Sequence, residues 1–236
     1  MGRLGIMALT LLLAAPASAG TDEAVFDLML RGMRAGTLSF SAEEQDGRYA
    51  VNGRLESGGL IGMFKTTRYD VAARGSIQGR TPAAATYSER AARGDDRRET
   101  ILTWTNGVPA VERSVPQRKR RSYDIEAQEQ RGTVDPLSAL YAALRDTAPG
   151  EECRLSLDIF DGRRLTRVAL GEPTPSETGV TCKGEFRRVA GYSKEDLAEK
   201  SRFPFVVSFA PTDEGRMRAV RVTADTIYGQ ATLRRR

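Results

Sequence analysis

The sequence predicts a mainly β protein: a large curved antiparallel sheet or partly open β-barrel, with one helix packed on its concave side. Three observations lead there. Period-two alternation of apolar and polar residues recurs along the chain, as half-buried strands require. A single stretch, "DPLSALYAALRD", carries a helical period. Two dipeptides, Asn106-Gly107 and Asp161-Gly162, have the chemistry of tight hairpin turns.

Residues 1–19 come first. Arg3 gives a short positive start, "LGIMALTLLLAA" an apolar core, and Pro16-Ala17-Ser18-Ala19 a small-residue cleavage site. This pattern predicts a secretory signal peptide cut after Ala19. The apolar run is short for a membrane span, and no cysteine follows to take a lipid anchor. The expected mature chain, residues 20–236, is therefore one soluble β-rich domain in a bacterial periplasm. The full chain has 36 Lys and Arg against 31 Asp and Glu; loss of Arg3 leaves 35 against 31, or +4.

The strands follow in order. Ala24, Phe26, Leu28 and Leu30 alternate, as do Leu38, Phe40 and Ala42, then Tyr49, Val51, Gly53 and Leu55, then Tyr69, Val71 and Ala73. Further strands are expected at 82–89, 97–105, 108–113, 153–160, 163–170, 180–190, 204–210, 216–225 and 227–233. Between them, 90–98 reads as a solvated connection and 171–179, "GEPTPSETG", as a turn or loop. The helix begins with Asp135 as N-cap and Pro136 at the first helical position. Leu137, Leu140, Tyr141 and Leu144 then form one apolar stripe that must be buried against a sheet, and Pro149-Gly150 closes the segment. In "GYSKED", residues 191–196, Ser193 caps a second helical start.

A two-residue turn at Asp161-Gly162 sets Ile159 opposite Arg164, Leu157 opposite Thr166, Leu155 opposite Val168 and Cys153 opposite Leu170. Cys153 then lies on the apolar face, and Cys182 shares a face with Val180 and Phe186 in the next strand. Two inward cysteines in an oxidising compartment are expected to be joined. Closing the loop from 153 to 182 contributes roughly 3–4 kcal/mol in the chain-entropy picture.

"DPLSALYAALR", a cysteine, "FDGRR" and "TCKGEFRRVAGYS" together resemble the domain-of-unknown-function 3108 family of exported bacterial proteins, from the strand near Val25 to the one near Leu233. The resemblance implies a periplasmic β-rich protein and carries over no catalytic residue. The architecture is also similar, at the level of fold analogy, to periplasmic lipoprotein carriers and lipid-binding half-barrels.

The chain has no histidine. That removes His-dependent nucleophilic triads, His-ligated metals and imidazole acid–base chemistry. No catalytic, cofactor or metal site is expected, and the protein is read as a non-enzyme. Two stretches are candidate contacts. Leu60, Ile61, Met63 and Phe64, within "SGGLIGMF", form an apolar cluster that either caps one barrel end or lines the mouth of an apolar cavity. Arg118, Lys119, Arg120 and Arg121 follow Arg113 without an intervening acid, and read as a solvated run or as contacts to an anionic envelope surface. Asp158, Asp161, Arg163 and Arg164 crowd the hairpin tip, with Arg164 oddly placed on the apolar face. The expected function is binding an apolar or amphiphilic envelope molecule such as a lipid, or assisting envelope assembly. The alternative is a scaffold holding an envelope protein through the Arg118–Arg121 patch or a sheet edge. Nucleic acid is not an expected partner, and the chain is not expected to span a membrane: an outer-membrane barrel is disfavoured by charged alternate positions and the absence of an aromatic girdle.

Overall fold

A computed structural model describes residues 20–58, 66–117 and 119–236. The expected signal peptide, the cluster Leu60, Ile61, Met63 and Phe64, and Arg118 lie outside the described residues. The elements run β1 (Gly20–Leu30), β2 (Met33–Gln45), β3 (Arg48–Ser57), β4 (Thr67–Gln78), β5 (Thr81–Arg93), β6 (Asp96–Thr105), β7 (Val108–Val115), a 3-10 turn (Ala127–Glu129), α1 (Pro136–Leu144), β8 (Ser156–Phe160), β9 (Leu165–Ser176), β10 (Gly179–Ala190), α2 (Lys194–Glu199), β11 (Arg202–Pro211), β12 (Met217–Thr226) and β13 (Gly229–Arg235).

All thirteen strands form one antiparallel sheet that curls into a nearly closed barrel. Each strand pairs with its sequence neighbour except at two places. β1 pairs with β13, Phe26 opposite Arg235 and Leu30 opposite Ala231. β7 and β8 are the two ends of the sheet, and residues 119–135 lie along the seam between them. There, Val134 bridges Ile159 in parallel, donating its N–H to Asp158 O and accepting from Phe160 N–H, both at 2.9 Å. At the turn joining β6 to β7, Gly132 donates to Gly107 O at 2.8 Å.

Alternation places one face of each strand inside. Phe26, Phe40, Val51, Leu102, Val207 and Phe209 are buried there, and α1 packs on them from the concave side. Tyr141 of α1 meets Phe40 edge-on at 5.9 Å and Tyr49 at 6.0 Å. The helix sits close because β3 offers no side chain at Gly53, where a Cβ would lie 2.8 Å from Leu137 Cδ1. Its N-terminus is capped as expected: Asp135 Oδ1 accepts from Ser138 N–H at 2.8 Å. Asp135 is fully buried, and its other oxygen accepts from Ser138 Oγ at 2.5 Å. Ser138 Oγ in turn shares a 2.6 Å bond with Tyr49 Oη, so the cap is tied to the barrel wall.

The C-terminus of α1 is capped by an arginine that periodicity does not single out. Arg80, at the β4–β5 turn, is 5 % exposed. It donates to Ala142 O at 2.6 Å and Glu152 O at 3.0 Å. Burial lowers its pKa to about 10, so the guanidinium stays charged at neutral pH, facing the negative end of the helix. Arg80→Met keeps the packing stem but leaves both carbonyls without this donor. We expect a loss of about 2 kcal/mol in urea unfolding; an unchanged midpoint would show that the bonds contribute nothing.

Three expectations are corrected. The β8–β9 turn has four residues, 161–164, and Ile159 faces Thr166 while Leu157 faces Val168. Arg164 is thus a turn residue, which removes the oddity of its apparent inward position. The tighter turn fails because Asp161 accepts from both Arg163 and Arg164 N–H, at 2.9 and 2.8 Å; this Asx arrangement consumes two more residues. Secondly, 171–176 extends β9 rather than forming a loop, and only Glu177–Thr178 turn. Both faces of that stretch are exposed, so no alternation marks it. Thirdly, Cys153 precedes β8 and α1 stops at Leu144, whereas the sequence starts a strand at Cys153 and runs the helix to Asp146. The Asn106-Gly107 turn is as expected, with φ of 51° and 76°, and so is the Ser193 cap of α2, which forms a capping box with Asp196.

Candidate functional site

The disulfide joins Cys153 to Cys182, with Cα atoms 5.4 Å apart. It fastens the segment before β8 to the interior face of β10, so its role is structural. Two cavities carry many charged side chains, one of them charge-balanced and the other positive.

The first is at the end of the barrel where β1 begins and α1 stops. It measures about 820 Å³ and is lined by Asp22, Glu23, Glu44, Asp146 and Glu214 together with Arg145, Arg216, Arg218, Arg235 and Arg236. Five acids face five arginines, so the charges balance. Arg218 donates to Asp146 Oδ2 from Nε at 2.9 Å and from Nη2 at 2.5 Å, and from Nε to Oδ1 at 3.1 Å. Arg235 lies 3.4 Å from both Asp146 and Asp22. Burial, reinforced by the nearby Asp146 carboxylate, raises the pKa of Asp22. The sequence offers no hint of this carboxylate pair, because its members are 124 residues apart and neither belongs to a motif. Arginines engage both carboxylates, Arg218 and Arg235 at Asp146 and Arg235 at Asp22.

The second cavity lies at the seam, about 720 Å³ in volume. β6 contributes Arg98 and Thr100. β7 contributes Val111, Ser114 and Val115, and Pro116, Lys119 and Arg121 follow it. The β8–β9 turn contributes Asp161, Arg163 and Arg164 from across the gap. That turn is seated by Gly162, where φ is +93° and a Cβ would come within 3.2 Å of Leu102. The fold therefore unites two groups that the sequence presents separately, the basic run and the crowded hairpin tip.

Five cations and two acids, Glu89 and Asp161, line this cleft. Both acids are engaged: Asp161 in its turn, and Glu89 by the Tyr87 hydroxyl, which donates at 2.8 Å. Arg164 stacks over Tyr192 with its guanidinium carbon 4.8 Å from the ring centre, and Arg121 over Tyr123 at 5.7 Å. Among the described residues, Arg98 and Lys119 have no ion-pair partner. Val111 and Val115 are 42 % and 44 % exposed and give the cleft an apolar wall. Arg120, by contrast, pairs with Glu126, and Asp158 binds Arg167 on the barrel exterior at 2.6 and 2.7 Å. Among the described residues, no group of three or more Cys, Asp or Glu is placed to hold a metal ion, and no helix is long and apolar enough to cross a membrane.

The family model described as "Protein of unknown function (DUF3108)" matches residues 25–234. Among solved structures, the chain is similar to the beta-barrel-like protein of domain of unknown function DUF1849 from Brucella abortus. The identity is 13 % and the TM-score 0.55, with 94 % of this chain and 98 % of that one covered; this is a likeness of fold. No curated protein matches.

Proposed function

The chain belongs to the DUF3108 family, and from its seam we propose that it is a non-enzymatic periplasmic protein that binds an amphiphilic envelope molecule. The observation that carries this reading is the cleft between β7 and the β8–β9 turn, which combines an exposed valine wall with a cationic floor. A molecule with an apolar chain and a polar head matches both surfaces. The barrel interior is a poorer candidate, since α1 and the aromatic side chains of β1, β2 and β3 fill the space beside it. The disulfide supports a location outside the cytoplasm, in line with the expected signal peptide.

Purified mature protein incubated with an envelope lipid extract is expected to show a one-to-one adduct in native mass spectrometry. Val115→Asp, which places a carboxylate on the apolar wall, should reduce that adduct severalfold without lowering the melting temperature. Recovery of unliganded protein alone would overturn the reading. A second reading, a scaffold for an envelope protein, is favoured by one feature: β7 is a terminal strand of the sheet and could accept an added strand. Crosslinking in intact cells that captures a protein at β7, and no lipid, would select it.

A further inference from the structure

We infer that the seam cleft takes the anionic head group of its amphiphile, an inference that rests on the amphiphile reading above. Elsewhere on the barrel many exposed arginines have acids beside them. Arg54 and Arg68 share Asp70, Arg113 binds Glu99, Arg202 binds Glu185 and Arg236 binds Asp27. In the end cavity the charges cancel. The lining of the seam differs: it holds five cations and two acids, and both acids are hydrogen-bonded within the protein. Arg98 and Lys119 have no ion-pair partner among the described residues, although Asp124 and Asp196 lie near Arg121 outside the lining. Like charges gathered in a concave site repel one another, and a bound anion relieves that repulsion while the low-dielectric walls strengthen its attraction.

The geometry adds direction. The arginine fork matches the oxygens of a phosphate or carboxylate, to which it can donate two parallel bonds. Tyr192 lies against the guanidinium of Arg164, which limits its rotation and leaves its N–H edge to reach outward, while Tyr123 positions Arg121, whose Nη1 donates to the Tyr123 hydroxyl. Val111, Val115 and Pro116 stand beside these donors, so a head group held by the cations leaves its chain against the valine wall. Arg98 and Lys119 complete the floor from β6 and from the segment after β7. The cleft therefore assembles donors from three separate stretches of chain, which no local run of basic residues provides.

The test uses three single-chain probes of equal chain length, titrated calorimetrically below their micelle concentrations into the full mature protein. They are a lysophospholipid with a singly anionic phosphate head, a fatty acid, and an uncharged alkyl maltoside. At least one anionic probe is expected to bind about tenfold more tightly than the maltoside, a difference that shrinks as salt screens it. The stronger of the two identifies phosphate or carboxylate as the natural head. Arg98→Glu combined with Lys119→Glu should abolish the preference with an unchanged melting temperature, because both side chains are exposed. Arg120→Gln, which alters the same basic run outside the cleft, should keep it. Equal binding of all three probes, or a preference that survives the double reversal, would overturn the anionic assignment while leaving the amphiphile reading standing. Failure of every probe to bind would remove both.

Discussion

Replacing both Cys153 and Cys182 by alanine is expected to lower the unfolding free energy by roughly 3–4 kcal/mol, the entropy regained by a loop with a sequence separation of 29. The physical setting supports an effect of that size. Cys182 is fully buried on β10, and Cys153 anchors a segment that enters β8 without a strand of its own. Urea unfolding of the wild type under oxidising and reducing conditions provides the comparison. Reduced wild type should converge on the double variant, and coincident curves for all three samples would show that the bond stabilises nothing.

At Asp135 the expected effect is pH-dependent. Burial pushes this carboxyl up to about 6 against its hydrogen bonds to Ser138, whereas in the unfolded chain it titrates near about 4. The folded state thus holds the proton more tightly. The stability it contributes is fully present below about pH 4 and is lost as pH rises through about 6. The loss is of the order of 2–3 kcal/mol. Asp135→Asn removes the titration, so the difference in urea midpoint between wild type and variant should change with pH over that window and be flat above it. A pH-independent difference would show that the carboxyl does not titrate there. Asp135→Ala is harsher at every pH. It removes the N-cap and leaves the buried Ser138 amide and hydroxyl without this acceptor, a cost of about 2–4 kcal/mol.

Much of the architecture is legible in the sequence because it rests on local patterns. Phe26, Phe40 and Val51 reveal their strands by alternation, Asn106-Gly107 reveals its turn, and Asp135-Pro136 reveals where α1 starts. The disulfide is legible through the inward placement of Cys182 in its strand, although the predicted β8–β9 register is wrong by two residues. What escapes is whatever depends on distant segments meeting. Arg80 resembles any other turn arginine until α1 arrives above it. Arg98 is an unremarkable charge on β6 until the β8–β9 turn crosses the seam. The basic run is visible in one dimension, but its division into Lys119 and Arg121, which line the cleft, and Arg120, which pairs with Glu126, requires three.

The order of the strands also bears on how the chain reaches this form. Two rows of hairpins, one from β1 to β7 and one from β8 to β13, can each grow by pairing neighbours as they emerge, with little search. The sole long-range ladder among the described residues, Phe26–Leu30 against Ala231–Arg235, unites the rows near the middle of the finished sheet, and its loop-closure cost falls on one late step. Until that zipper shuts, both rows present a bare edge strand able to capture another polypeptide, so the window before closure is when the molecule is most exposed to misassembly.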